Sequence, residues 1–343
     1  MSLAPVLHKL RDKENLSVDE TREVFDSIFS GDVSEEPLAA FLLALHRKGE
    51  TSDEILGATL SMRSKALTIT APPDTMDVVG TGGDSKGTFN ISTAAALVVA
   101  ACGVPVAKHG NRAATSKSGS SDVLAALGIN LEPPIEILEQ CLEEAHLCFL
   151  FAPRHHPAMR FVAPVRKKLG VRTIFNLLGP LTNPANVKRH LIGVFAPEWL
   201  VPMAEVLHSL GSRSAWLTHG QDGMDEITTV TKSNVASLHG DKIGQFTVSP
   251  EDAGMTLANP SELEGGNAAM NAEAIKGLLA GEKSAYRDIV TLNAAAALVV
   301  AEKAADLRQG SEIASEHIDN GAAQDVLQKL VELTNKVPYE RHS

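Results

Sequence analysis

The sequence predicts an α/β protein, with a small N-terminal all-helical domain and a larger α/β domain whose central, mostly parallel sheet is flanked by helices. Three observations indicate this fold. Residues 3–67 read as one amphipathic helix after another, the chain from residue 76 alternates short apolar strands with helices, and Pro72-Pro73 separates the two parts. Alternation of strand and helix is typical of a sheet that helices cover on both faces.

The N-terminal helices are marked by capping residues. Ser17 stands three residues before Glu20, Ser34 precedes EEPLAAFLLALHRKG, and residues 51–53 precede EILGATLSMRSKAL. No pattern in these helices indicates chemistry, and their apolar stripes suit either a dimer interface or a cover for the core. We therefore predict domains at residues 1–70 and 74–343, with a helical excursion near 157–182 that joins the first domain.

The second part contains five predicted strands, at residues 76–79, 104–109, 146–153, 190–195 and 214–220. Two weaker strands are predicted within residues 228–240 and 242–250. Helices fit between the strands at residues 90–102, 118–127, 134–145, 157–169 and 198–210, and the chain from residue 267 is again helical.

Composition narrows the classes of partner. A formal net charge of -11 over 343 residues argues against a general binder of nucleic acid or of anionic membranes. The cysteines, Cys102, Cys141 and Cys148, are odd in number and lack metal-ligand spacing, which favours free thiols, and the last two fall on one face of a predicted helix. No apolar run has the length of a signal peptide core or a membrane span. We expect a cytoplasmic protein that acts on small molecules.

The strand at 76–79 runs directly into the glycine-rich loop Gly80-Thr81-Gly82-Gly83-Asp84. Beyond it, residues 90–93 can cap the next helix, so backbone N–H groups at the positive helix end should point toward the loop. This arrangement predicts a phosphate site. A plain tight turn is the alternative, because GTGGD is neither a Walker A loop nor a dinucleotide fingerprint.

A second loop rich in glycine and hydroxyl groups follows the strand that ends at Lys108-His109. Lys108 and Arg112 supply positive charge, and residues 120–122 are expected to cap the next helix. Positive side chains beside a flexible loop suit an oligophosphate, although a solvated basic turn is the alternative. His109 by itself is expected to be a supporting residue.

Three further patterns concern metal and carboxylate binding. Asp225 and Glu226 are adjacent in a predicted loop, where they can reach one or two hard cations, and Mg²⁺ is the natural choice; a generic acidic turn is the alternative. The pair His155-His156 lacks a third ligand nearby, which favours a polar pocket edge over a metal site. Arg166 could bind a carboxylate or lie on a solvated face. The absence of GxSxG, dinucleotide and GK[ST] motifs counts against hydrolases, dehydrogenases and kinases.

Seven motifs, GTGGD, NIST, KHGNR, GSSDVL, APRHHPAM, FNLLGPLTNP and GMDE, occur in the order seen in the anthranilate phosphoribosyltransferase family, and the resemblance covers nearly the entire chain. It implies an enzyme of tryptophan biosynthesis that uses Mg²⁺ to transfer the phosphoribosyl group of 5-phosphoribosyl 1-pyrophosphate to the amine of anthranilate, with release of pyrophosphate. It also implies a fold like that of pyrimidine nucleoside phosphorylases and a homodimer formed through the helical domain. A pyrimidine nucleoside phosphorylase is the alternative function, but the acidic pair and the KHGNR loop favour a pyrophosphate donor with metal.

The resemblance also implies roles for individual residues. The phosphoribosyl donor would contact Gly80, Gly83, Asp84, Thr88, Asn90, Ile91, Ser92, Thr93, Lys108, His109, Gly110, Asn111, Arg112, Ala113, Ala114, Thr115, Ser116 and Ser120. Asn111 and Arg166 would hold anthranilate, and His156 would line the path to its site. Ser92, Asp225 and Glu226 would bind Mg²⁺. Lys108 and the acidic pair would be catalytic, because the main task is to stabilise charge on the departing pyrophosphate.

Overall fold

The N-terminal part of the molecule is a bundle of helices. The computed structural model describes residues 3–112 and 117–336. Four helices come first, namely α1 (Ala4–Arg11), α2 (Val18–Phe29), α3 (Glu35–Lys48) and α4 (Ser52–Ser64). Ser17 forms a capping box with Glu20, and Thr51 forms one with Glu54. Ser34 stands at the cap position of α3 as predicted, but its side chain makes no capping hydrogen bond.

From residue 76 onward, the described residues form one seven-stranded sheet with flanking helices. Its strands are β1 (Met76–Gly80), β2 (Val106–Gly110), β3 (Leu147–Phe151), β4 (Arg189–Gly193), β5 (Ser214–Gly220), β6 (Ser233–His239) and β7 (Lys242–Val248). They are ordered β3-β2-β1-β4-β5-β6-β7. The first five run parallel, and β6 and β7 add an antiparallel hairpin at one edge. The predicted fold class is confirmed, including the two weaker strands.

Helices cover both faces of the sheet. They are α5 (Ile91–Ala101), α6 (Ser120–Ala126), α7 (Ile135–Ala145), α8 (Ala152–His155), α9 (Ala163–Leu169), α10 (Phe175–Leu181), α11 (Leu200–Ser209), α12 (Ala268–Leu279), α13 (Ala285–Val300), α14 (Leu307–Asp319) and α15 (Ala322–Thr334). Short 3₁₀ helices span Pro157–Phe161, Pro197–Trp199, Pro250–Ala253 and Pro260–Leu263.

Two details of the sequence-based prediction were wrong. The helix predicted over residues 157–169 is divided into a 3₁₀ turn and α9, because Pro164 cannot donate a helical hydrogen bond and is tolerated only at the start of a new helix. Cys141 lies in α7 but Cys148 lies in β3, so the two cysteines do not share a helix face. All three cysteines are free.

The apolar side chains form two clusters, one on each side of the sheet. In the first, α5 and α15 pack against strands from β1 to β3, α13 packs against β4 and β5, and α14 packs on α13. The second joins the N-terminal bundle to α9, α10 and α11, and the rings of Phe25 and Phe175 lie 5.6 Å apart within it. The division into domains at residues 70 and 74, with its excursion near 157–182, remains a prediction. Within the described residues, no helix is long and apolar enough to cross a membrane.

The sheet reverses its strand order beside β1. From β1 the chain proceeds outward through β2 and β3, and it then returns to place β4 on the other side of β1. At such a point the loops that leave the carboxyl ends of the two strands, here β1 and β4, are expected to diverge around a crevice. Ligands of open α/β sheets bind at such switch points.

Candidate active site

The first glycine loop and the acidic pair meet at this crevice. Gly80 at the end of β1 pairs with Gly193 at the end of β4, and the loop that contains Asp225 crosses both. A Cβ at Gly193 would overlap the carbonyl oxygen of Asp225. A Cβ at Gly80 would lie 2.7 Å from the carboxylate oxygen Oδ2 of Asp225. Gly82 N–H donates to the same carboxylate oxygen at 2.7 Å. The two glycines thus allow the acidic loop to lie directly against the phosphate loop.

The loop after β1 follows a path that needs left-handed backbone angles. Gly82 and Gly83 have φ of 69° and 80°, which are readily available only to residues without a Cβ. Asp84 shapes the loop from within, since its carboxylate accepts from Lys86 N–H at 3.1 Å and from Asp225 N–H at 3.4 Å. The structure therefore brings Asp84 and the acidic pair together.

Ser92, in the first turn of α5, joins the acidic pair to Lys108. Its N–H donates to Glu226 Oε1 at 3.2 Å, and its Oγ accepts from Lys108 Nζ at 3.3 Å. Lys108 Nζ also donates to the carbonyl oxygen of Val78 at 2.6 Å. Lys108 is only 3% exposed. Its two hydrogen bonds place its ammonium group between β1 and the first turn of α5, which it supports from within the protein.

Burial and mutual repulsion disturb the ionisation of this cluster. Burial raises the pKa of Asp225 well above its usual value, and the charges of Asp84 and Glu226 raise it further. Burial also raises the pKa of Glu226 to about 7, although Lys108 opposes the shift. The pKa of Lys108 is lowered by burial. Too little positive charge surrounds these buried carboxylates to keep both ionised. A divalent cation would supply it.

The residues present fit Mg²⁺ that arrives with a phosphate-bearing substrate. Within the part of the chain that the structure describes, no group of three or more His, Cys, Asp or Glu side chains is arranged to hold a metal ion. Mg²⁺ is usually bound by one or two carboxylates and completes its octahedron with water and phosphate oxygens. Asp225 and Glu226 supply two such carboxylates, and Glu226 also accepts from the N–H of Ser92, whose hydroxyl is a further oxygen ligand nearby.

The second predicted loop leaves β2 next to the first. The carbonyl oxygen of Asn111 accepts from Ser120 Oγ at 3.3 Å, while the side chains of Asn111 and Arg112 are exposed. Ala113, Ala114, Thr115 and Ser116 lie outside the described residues. The prediction that residues 120–122 cap the next helix was wrong in detail. Gly119 is the cap residue of α6, and residues 120–122 form its first turn, where the Asp122 carboxylate accepts from Gly119 N–H at 2.9 Å.

Two buried histidines, His109 in β2 and His156 directly after α8, lie side by side. The ring centroids of His109 and His156 are 5.1 Å apart, and both side chains are buried. His109 Nδ1 donates to the carbonyl oxygen of Gly179 at 3.0 Å, whereas Nε2 of His109 and both ring nitrogens of His156 lack partners among the described residues. Burial lowers the pKa of His156 to about 4 and that of His109 well below its usual value. Neutral rings of this kind suit a pocket wall.

Arg166 lies on α9, where its side chain packs against an aromatic ring. Its guanidinium carbon lies 5.5 Å from the ring centroid of Phe175, which belongs to the core of the N-terminal bundle. Burial lowers the pKa of Arg166. Arg166 and Asn111 are both predicted to bind anthranilate. They lie on different elements, Arg166 in α9 and Asn111 in the loop after β2.

Several residues that organise the site were missed by the sequence analysis. Asp77 in β1 accepts from His109 N–H at 3.1 Å and from Asn183 Nδ2 at 2.7 Å. Arg172 donates to the carbonyl oxygen of Gly83 and stacks 4.4 Å from the ring centroid of Phe195. A charged residue inside the apolar strand MDVV was the one available signal for Asp77, since buried charges require partners.

Comparison with known proteins decides the family. The model of the glycosyl transferase family's helical bundle domain matches residues 4–66, and that of its a/b domain matches residues 72–324. The chain is 52% identical over 335 residues to the anthranilate phosphoribosyltransferase of Methylocella silvestris, covering 98% of this chain and 96% of that protein. The chain belongs to the anthranilate phosphoribosyltransferase family. This confirms the resemblance that the seven motifs indicated.

Other members of the anthranilate phosphoribosyltransferase family agree in sequence and fold. The protein of Brucella suis is 52% identical over 336 residues, with 98% of this chain and 99% of that protein covered. The crystal structure of the Thermus thermophilus enzyme gives a TM-score of 0.90 at 43% identity and covers 96% of this chain and 99% of its own. The structure of the Saccharomyces cerevisiae enzyme in complex with PRPP and Mg also gives a TM-score of 0.90, at 26% identity, and the match covers 98% of both chains.

Proposed function

We propose that this chain transfers the phosphoribosyl group of 5-phosphoribosyl 1-pyrophosphate to the amine of anthranilate, giving N-(5-phosphoribosyl)anthranilate and pyrophosphate in tryptophan biosynthesis. One observation carries the proposal. The glycine loop, the first turn of α5 and the acidic pair converge at the switch point of the sheet, in a chain 52% identical over 335 residues to an anthranilate phosphoribosyltransferase.

The donor would be bound between the two loops. The positive end of α5 and the left-handed backbone of Gly82 and Gly83 suit a diphosphate, because a helix N-terminus attracts anions and a loop without Cβ atoms lets phosphates approach the backbone. The remaining proposed contacts are Thr88, His109, Gly110, Asn111, Arg112 and Ser120, together with residues 113–116 outside the described range, and Lys108 would act indirectly from behind the first turn of α5. Mg²⁺ held by Asp225, Glu226 and Ser92 would neutralise negative charge on the diphosphate.

Departure of pyrophosphate requires stabilisation of the charge that develops on its oxygens. The start of α5 is held in place for this task, since Lys108 Nζ donates to the Ser92 hydroxyl and the Ser92 N–H donates to Glu226. We propose that Lys108 contributes through Ser92. The amine of anthranilate is neutral at pH 7, so orientation by Asn111 and Arg166 serves in place of a strong base, and the proton is lost late.

The oligomeric state and location are part of the same proposal. The proposal includes a homodimer formed through the helical domain, as the family resemblance implies. Three free cysteines suit the reducing cytoplasm. Sedimentation of the purified chain tests the dimer, and a monomer at micromolar concentration would contradict it.

The proposed activity can be tested by following anthranilate fluorescence with purified protein, the phosphoribosyl donor and Mg²⁺. Fluorescence should fall only when all components are present and should stay constant in the metal-free and donor-free controls. Constant fluorescence with folded protein would remove anthranilate as the substrate. The pyrimidine nucleoside phosphorylase alternative, which the comparisons do not favour, would then be tested with nucleosides and phosphate.

A further inference from the structure

A distant segment of the chain is attached to the loop that follows β1. Phe89 N–H donates to the carbonyl oxygen of Leu263 at 3.1 Å, and Gly265 N–H donates to the carbonyl oxygen of Gly87 at 2.9 Å. Between these two bonds, Thr88 and Glu264 form an isolated antiparallel bridge. We name residues 263–271 the clasp and residues 81–90 the donor loop. The clasp was not among the motifs that the sequence analysis identified.

Gly265 is required by the closeness of this contact. A Cβ at Gly265 would lie 2.5 Å from the carbonyl oxygen of Thr88 and 2.7 Å from the nitrogen of Phe89. Both are backbone atoms, so they can yield only if the donor loop moves. The φ of Gly265 lies outside the left-handed region, so another residue could adopt its backbone conformation. The steric contact with the donor loop is therefore the reason for glycine here.

Asn271 provides a second attachment, at the end of the donor loop. Its Nδ2 donates to Asn90 Oδ1 at 2.8 Å, and its Oδ1 accepts from Gly266 N–H at 2.7 Å. Asn271 is 2% exposed, so both bonds are shielded from water. Asn90 stands at the cap position of α5, but its side chain makes no capping bond. The Asn90 carbonyl oxygen is held by Tyr286 OH at 3.2 Å, which fixes the junction from a third side.

We propose that the clasp positions the donor loop for the diphosphate of the phosphoribosyl donor, with Gly265 and Asn271 as the positioning residues. The inference rests on the proposed function. A loop with several left-handed residues loses much conformational freedom when it binds a ligand, and that loss weakens affinity. By bonding the loop at Gly87, Phe89 and Asn90, the clasp orders it before the ligand arrives.

The chain offers a matched control for each positioning residue. Gly265→Ala introduces a clash with the loop backbone, whereas the atoms nearest to a Cβ at Gly266 belong to the side chain of Met270, which is 52% exposed. Asn271→Ala removes the bond to Asn90. Asn271 lies in α12, and Asn267 caps that helix, since Asn267 Oδ1 accepts from Met270 N–H at 2.9 Å. Asn267→Ala removes this cap but leaves the contacts with the donor loop intact.

Two measurements test the clasp. By calorimetry with inorganic pyrophosphate and Mg²⁺, Gly265→Ala and Asn271→Ala should weaken binding about tenfold or more, and the KM of the donor should rise in parallel while that of anthranilate changes less than about twofold. By hydrogen exchange of the ligand-free protein, the Phe89 amide should exchange faster in both variants. Both controls should stay within about twofold of the wild type in every measurement.

The outcomes separate the two proposals. Pyrophosphate affinity and Phe89 exchange equal to those of the controls would overturn the clasp. If Asn271→Ala fails to fold, Asn271→Asp serves instead, because its carboxylate keeps the bond from Gly266 N–H but cannot donate to Asn90. A wild-type chain that binds pyrophosphate with Mg²⁺ but does not consume anthranilate would contradict the proposed function and leave the comparison between clasp variants and controls valid.

Discussion

The carboxylate of Asp77, fully buried in β1, accepts a hydrogen bond from the side-chain amide of Asn183 at 2.7 Å. The other carboxylate oxygen accepts from His109 N–H in β2 at 3.1 Å, and the Asn183 amide also donates to the carbonyl oxygen of Ala107 at 2.7 Å. The two side chains thus bridge β1 and β2 beyond the registered pair Met76 and Val106. Because the two loops of the site leave these strands, Asp77 and Asn183 set the spacing between them.

Removal of the Asn183 amide should destabilise the protein. Asn183→Ala leaves one oxygen of Asp77 and the Ala107 carbonyl oxygen without a donor, and the free energy of unfolding should fall by about 1–3 kcal/mol. Urea titration measures the loss. Asn335→Ala, which removes an exposed amide with two hydrogen bonds, is the control and should cost less than about 0.5 kcal/mol. Equal losses in the two variants would contradict the bridging role.

The acidic pair should determine the metal dependence. We expect Asp225→Asn combined with Glu226→Gln to lower turnover by about a hundredfold or more and to shift the Mg²⁺ titration to higher concentration, because both hard oxygen ligands lose their charge. Asp241→Asn, at a fully exposed position beside β7, removes a similar charge and should leave the curve unchanged. An unaltered Mg²⁺ titration in the double variant would place the metal elsewhere.

Substitution of Arg166 should distinguish the two substrates. Arg166→Ala should raise the KM of anthranilate about tenfold or more and leave the KM of the donor nearly unchanged, because a guanidinium group binds the carboxylate of the acceptor. Arg160→Ala is the matched control, since Arg160 also lies over an aromatic ring, that of Phe161 at 4.7 Å, but is exposed. Similar increases in both KM values would refute the assignment.

Buried His190 predicts a loss of stability in acid. Burial lowers its pKa to about 3, and the positive charges of Arg63 and Lys188 contribute, whereas the unfolded chain titrates near 6.5. Between these pH values the folded state therefore binds fewer protons than the unfolded chain. The contribution of His190 to the free energy of unfolding is undiminished above about pH 6.5 and falls as the pH drops toward about 3. In this window the wild type should lose about 1.4 kcal/mol per pH unit more than His190→Gln. Parallel pH profiles of unfolding would contradict the buried neutral ring.

The sequence predicted those parts of the fold and site that are local in the chain. Strand and helix periodicity, the GTGGD loop and the adjacent pair Asp225 and Glu226 each lie within a few residues, so their patterns are visible without a structure. The bond between Asp77 and Asn183 joins residues 106 positions apart and depends on the packing of α10 against the sheet. Gly193 likewise reads as an ordinary strand end until the acidic loop is placed over it.

Lys108 shows the limit of motif reading within a correctly identified site. A lysine at the end of a strand beside a glycine loop was expected to contact the donor directly. In the structure its ammonium group is buried and donates to the carbonyl oxygen of Val78 and the hydroxyl of Ser92, with the charges of Asp77 and Glu226 nearby, so its contact with the donor stays a prediction. Which atoms surround a side chain depends on the placement of strands from several parts of the chain, and residue type alone does not determine it.

The stoichiometry of the reaction tests the central claim most directly. Purified protein would be supplied with the phosphoribosyl donor, anthranilate and Mg²⁺, and both anthranilate consumption and pyrophosphate release would be measured. We predict about one pyrophosphate per anthranilate consumed, with neither change when Mg²⁺ or the donor is omitted. Folded protein that leaves anthranilate unchanged, but cleaves a pyrimidine nucleoside when phosphate is added, would contradict the account.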